Sequence, residues 1–127
     1  MPRLAPDDLL DVAERYHDLS VRVGRYRFAH WNELSTAERS SLESLEWSLM
    51  NASTDFIARG ITLRAGDVEG AVARIRSATA ALRRAVRGVS SAKKVIAAAT
   101  AAVTLAGAIT SGNVPAILDA VGDAMRL

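Results

Sequence analysis

Glu14 and His17 stand three residues apart in a segment that reads as helix, so their side chains share one face and could ligate a metal ion together. Di-iron helical bundles use two such pairs plus two further glutamates, and Glu43 and Glu46 are the carboxylates available for that role. They flank the Leu42/Leu45 apolar stripe rather than lie on it, and the Glu-x-x-His spacing occurs only once. A symmetric dimer would have to supply the second copy. The spacing is also common on solvated helix faces, so the expectation is no metal and no cofactor.

Other chemistry finds less support. The chain has no cysteine, which removes thiol catalysis, disulfides and thiolate metal sites. It has no Walker loop and no Gly-x-Ser-x-Gly elbow, and its only histidines are His17 and His30. Gly60, Gly66 and Gly70 lack dinucleotide-loop spacing and follow a helical pattern rather than a strand. Asn51-Ala52-Ser53 matches a glycosylation acceptor but falls inside a predicted helix. A non-enzymatic protein is expected.

Charge is the stronger signal. The net charge of +2 conceals an uneven distribution, for Glu69 is the last acid before Asp119. Between them lie Arg74, Arg76, Arg83, Arg84, Arg87, Lys93 and Lys94, whereas Asp7, Asp8, Asp11, Glu14 and Asp18 crowd the start. Acidic helices lying against a basic one would account for this. An anionic partner would too, with Arg83, Arg84, Arg87, Lys93 and Lys94 as its contacts. No aromatic residue follows Phe56, so base stacking is unavailable beside these cations and nucleic acid is not the expected partner.

The elements that must carry these residues are helices. At 127 residues, half of them apolar, the chain suffices for one domain with one core. Pro6, Asp7 and Asp8 start a first helix whose stripe is Leu9, Val12, Tyr16, Leu19, Val23 and Tyr26. Gly24 weakens it near its end, and Arg22, Arg25 and Arg27 suit the negative end of its dipole. Ser35 to Glu38 is a capping box opening a second helix, with Leu42, Leu45, Leu49 and Phe56 inward and Gly60 at its end. The pair is an antiparallel hairpin over residues 5–59. Asp67 is placed to cap a third helical stretch, and Asn113 with Pro115 opens a short C-terminal helix over 114–126.

Residues 68–111 carry the longest pattern. Val72, Ile75, Thr79, Leu82, Val86, Val89, Lys93, Ile96, Thr100 and Val103 continue one four-three seam, flanked by an alanine every seven residues from Ala71 to Ala106. Gly88, Ser90 and Ser91 interrupt its chemistry but not its phase. The favoured reading is therefore one straight helix, roughly 65 Å long at 1.5 Å per residue, with a break near 88–91 as the alternative. Its second half is apolar all round, so Ala92, Ile96, Ala99, Val103, Ala106 and Ile109 are the expected interaction surface.

Between Lys94 and Asp119 there is no charged residue. A cationic segment, 83–94, thus precedes a concealed apolar one, 95–118, as a head-group anchor would precede a membrane segment. Over Lys93–Leu118 this arrangement is similar to the helical pore-forming cytolysins, without a shared residue motif. Trp31 near the hairpin turn is likewise similar to the small Trp-x-Gly proteins of type VII secretion, but Glu33 stands in place of their glycine. The N-terminal stretch has no apolar run of signal-peptide length, which points to a cytoplasmic protein with leaderless export left open.

The sequence thus specifies an all-α helical bundle in a single domain, built on an α-hairpin, a long heptad-patterned alanine-rich element and a short last helix. The function expected is assembly or protein interaction through residues 92–111, with a second copy or a partner helical protein. A membrane-active protein meeting an anionic membrane surface is the alternative.

Overall fold

Local caps set the helix boundaries in the computed structural model, which describes residues 3–64 and 68–127. Helix α1 (Pro6–Ala29) begins with proline in its first turn and with Asp7 and Asp8 at the positive end of its dipole. Helix α2 (Thr36–Arg59) opens on the expected capping box. The Glu38 N–H donates to Ser35 Oγ at 3.1 Å, and the Ser35 N–H donates to the Glu38 carboxylate at 2.8 Å. Gly24 does not interrupt α1. It makes room for α2, because the Glu46 carboxylate occupies the space where a Cβ would project. Glu46 also binds Arg27 at 3.0 Å, and its carbonyl accepts the Ser20 hydroxyl at 2.8 Å.

The long element is two helices. Helix α3 (Val68–Ala85) and helix α4 (Ala92–Ser111) are separated by a turn over 86–91, so the straight helix is overturned and the break near 88–91 is the form adopted. Ser90 N–H donates to the Arg87 carbonyl at 3.0 Å within that turn, and Ser91 Oγ caps α4 by accepting from Lys94 N–H at 3.2 Å. Burial explains the preference. A straight helix would leave Val95, Leu105 and Ile109 in water, whereas all three are fully buried here. Each such side chain contributes roughly 1.5–3 kcal/mol, against about 1 kcal/mol of helix propensity near Gly88. The Asp67 cap expected for α3 lies outside the described residues.

Helix α5 (Val114–Met125) starts where Asn113 accepts from the Ala116 N–H at 3.1 Å. Of the apolar face expected from Val114, Ile117, Leu118, Val121 and Met125, Ile117 and Val121 are buried together with Ala120 and Ala124, while Leu118 and Met125 are exposed. The described residues thus form five helices. Helices α1 and α2 make the hairpin, α4 packs on α2 and α5, and α3 packs on α5 and along α1.

Two tyrosines of the α1 stripe fasten the second half of the chain to the first. Tyr16 donates to the Ala102 carbonyl at 2.8 Å and meets Phe56 edge-on at 5.3 Å between ring centres. Tyr26 donates to the Ser90 carbonyl at 2.7 Å, so it holds the α3–α4 turn against the end of α1.

The two ends of the bundle differ. At the strap end, where α1 begins and α2 and α4 end, Leu4 N–H donates to the Ile61 carbonyl and Arg64 N–H to the Gly112 carbonyl, both at 2.9 Å. Gly112 has φ +70°, and a methyl group there would run into the Thr62 carbonyl oxygen. At the turn end lie the α1–α2 connection, the α3–α4 turn and the last turn of α5.

Candidate interaction surfaces

Glu14 and His17 do share a face of α1, and both are exposed. Glu43 is exposed on α2, while Glu46 is engaged with Arg27 and closes on Gly24. These residues do not converge. Among the described residues no group of three or more His, Asp or Glu side chains stands together to hold a metal ion.

The surface expected on α4 divides between two faces. Ala99, Ala106 and Ile109 are in the core, packed with Val95, Ala98, Ala102 and Leu105, and cannot meet a partner in this fold. Ala92, Ile96 and Val103 are half-buried at the edge of the core. The face that remains outward consists of Thr100, Thr104 and Gly107, bordered by Ile96, Ala97, Ala101, Val103 and Ala108. The alanine flank turned inward because α4 lies close to α1 and α2 there, close enough for the Tyr16 hydroxyl to reach its backbone.

Beside this face runs a groove of about 430 Å³ between α2 and α4, lined by Ser40, Ser41, Ser44, Leu45, Ile96 and Thr100. Trp47 lies seven residues beyond Ser40 on the same side of α2 and is 62% exposed. Neither the serine-rich wall nor the exposed tryptophan was singled out from sequence. Trp47 was the available signal, since it falls between the inward positions Leu45 and Leu49.

The cations also divide. Arg76 meets Asp8 at 2.8 Å and Asp11 at 2.7 Å, Arg15 meets Asp11 at 3.2 Å, and Arg83 lies 3.5 Å from Asp18. The Arg76 and Arg83 pairs are the acidic α1 and basic α3 lying against one another, while Arg15 pairs within α1. Partial burial raises the Asp11 carboxyl, but the Arg76 hydrogen bond and the nearby Arg15 charge outweigh it and hold its pKa below the usual value. Arg76 is held above its own by the same bond. Arg84, Arg87, Lys93 and Lys94 are exposed and belong to no ion pair among the described residues.

Two clefts open among these cations at the turn end. One of about 350 Å³ is lined by Arg22, Arg25 and Arg87 around Tyr26, Ala29, Val86 and Gly88. Burial, then the Glu33 and Glu38 charges, push the Tyr26 phenol upward, so it stays a neutral donor to Ser90. A second of about 380 Å³ places Arg84, Arg87 and Lys94 beside Met125 and Leu127. Arg22 and Arg25 were read from sequence only as suiting the α1 dipole. The antiparallel hairpin could have placed them near 83–94.

Fold and surfaces together define an all-α bundle that offers outer faces and shallow clefts. No family model, curated protein or solved structure matches the chain.

Proposed function

We propose that the chain is a non-enzymatic assembly module that associates with a second copy of itself through the outward face of α4 and the adjoining groove of α2. The observation that carries this reading is the absence of charge on that face. The outward sides of the other long helices carry Glu14 and Arg25 (α1), Glu43 and Asp55 (α2), and Arg74 and Arg84 (α3). On α4 no charged side chain follows Lys94, through about five turns of helix. A helix face kept in water ordinarily carries charges, and a contiguous uncharged one suits a partner of the same kind. Gly107 projects nothing, which lets another backbone come close, and Trp47 is an aromatic anchor of the type that dominates interfaces.

Sedimentation and light scattering test this. The wild type should show a concentration-dependent dimer, and Thr104→Arg should return it to monomer with unchanged helicity. A wild type that stays monomeric at high concentration would end the proposal.

Release of α4 into a membrane is less well supported. Ala92–Ser111 is, among the described residues, the one helix long and apolar enough to cross a bilayer, with a mean hydropathy of 1.5. Its inner face is the centre of the bundle core, however, so release would dismantle the fold.

A further inference from the structure

We propose that the turn end of the bundle docks peripherally on anionic phospholipid surfaces, with cations at the head groups and Val89 inserted among them. This stands apart from self-association, which uses the side of the bundle rather than its end.

The charges at that end do not balance. Asp18 is paired with Arg22 and Arg83 and Asp123 with Arg126, which leaves Glu33, beside His30, and Glu38, in the α2 cap, as the acids facing the remaining cations. Arg25, Arg84, Arg87, Lys93 and Lys94 have no such partner among the described residues. They come from α1, from the end of α3, from the turn after it and from the start of α4, and the Tyr26 bond to Ser90 holds that turn at the end of α1.

An apolar tip sits among them. Val89, at the apex of the α3–α4 turn between Arg87 and Lys93, is 94% exposed, the most exposed large hydrophobic side chain described. Nothing in the fold needs a valine there. Met125 adds a second exposed apolar group beside Arg84 and Lys94. Phe28 and Trp31, stacked at 6.0 Å, are 65% and 42% exposed at the close of α1.

Cations around a protruding aliphatic side chain, with tryptophan at the same end, match the boundary between phosphate head groups and acyl chains. An acidic peptide would gain from the charges but has no use for an apolar tip. Nucleic acid would want free stacking faces, whereas Phe28 and Trp31 face each other and Arg39 lies 4.7 Å over the Trp31 ring. The apolar tip decides for lipid.

Vesicle co-sedimentation provides the test, with phosphatidylcholine alone and with phosphatidylserine added. The wild type should pellet with the anionic vesicles, stay in solution with the neutral ones, and be released by high salt. Each basic side chain near an anionic surface changes partitioning about fivefold, so the triple substitution Arg84→Gln, Arg87→Gln, Lys94→Gln should lower it about a hundredfold. The uncharged substitution Val89→Asn should also weaken binding, while Arg74→Gln, on the side of α3, should not. These positions are all exposed, and circular dichroism checks that each variant keeps its helices. Equal binding to neutral vesicles, or no anionic binding by the wild type, would overturn the proposal. So would binding unaffected by the uncharged substitution Val89→Asn but matched by a polyanion such as heparin, which would mark the end as a purely electrostatic surface. A wild type that binds anionic vesicles as a monomer would leave the docking intact while removing self-association.

Discussion

Where α1 begins and α2 and α4 end, backbone is bonded to backbone, and Gly112 admits no side chain. A cleft opens at either end, but where α1, α3 and α5 end the α3–α4 turn is tied to α1 by the Tyr26 side chain. The same chain therefore closes one end of its bundle with main-chain register and the other with side chains. The difference teaches that register is fixed once, at the strap end. The turn end is then left to carry Val89, Arg87 and Lys93, exposed side chains that add little to stability.

Substitutions at the two ends can break that contrast. The largest effect belongs to Gly112→Val at the strap end, where the left-handed backbone and the Thr62 carbonyl both oppose a side chain. A loss of about 3 kcal/mol is expected in urea unfolding. Next comes Tyr16→Phe, which removes a buried hydroxyl from the Ala102 carbonyl and should cost about 1–1.5 kcal/mol. Its counterpart Tyr26→Phe, at the more open turn end, should cost less.

Ser91→Ala removes the cap of α4 and should lower stability by about 1 kcal/mol without loosening the strap end, as amide exchange at Arg64 would show. Asp11→Asn sharpens the comparison through pH. The Asp11 carboxyl titrates below its usual value in the folded protein, so its ion pairs contribute stability above the ordinary value of 3.8, which is lost as the pH falls through the lower folded value. The variant should therefore show a flatter acid unfolding profile, by a small margin because the pair is partly solvated. The smallest effect is expected for Val89→Asp, within about 0.5 kcal/mol of wild type. A substantial loss of stability there would show that the turn end is structural after all.

Much of the fold was legible because its punctuation is local. Ser35 with Glu38 and Asn113 with Pro115 each act within four residues, and the helices they open begin where expected. The break between α3 and α4 was not legible for a physical reason. Val89 and Lys93 fall on seam positions by register alone, whereas both are exposed in a turn region and a capped first turn. What decides the break is distant in sequence: burial of α4 against α2 and the bond from Tyr26 to Ser90, 64 residues away. For the same reason the alanines of α4 looked like an outer flank and became core.

The basic run 83–94 was visible as composition. Its meeting with Arg25 from α1 and Met125 from α5 depends on topology, which periodicity does not carry. The outward face of α4 was half legible: Ile96 and Val103 lie at its edge, but Thr100 counted only as a position of the seam, and Thr104 and Gly107 were not read as a surface.

The helices do not pack in the order in which they are made. Helix α2 lies on α4 and, among the described residues, makes no contact with α3, which finds its main neighbour in α5. During synthesis the α1–α2 hairpin can close from local contacts as soon as Arg59 is available. Helix α3 then waits for the last helix, and α4 must reach past it to the hairpin. A long apolar helix is thus committed late, through contacts between residues far apart in sequence, which slows folding and prolongs exposure of its inner face. The nascent chain's period of greatest vulnerability runs from the release of Ala92 to the docking of α5.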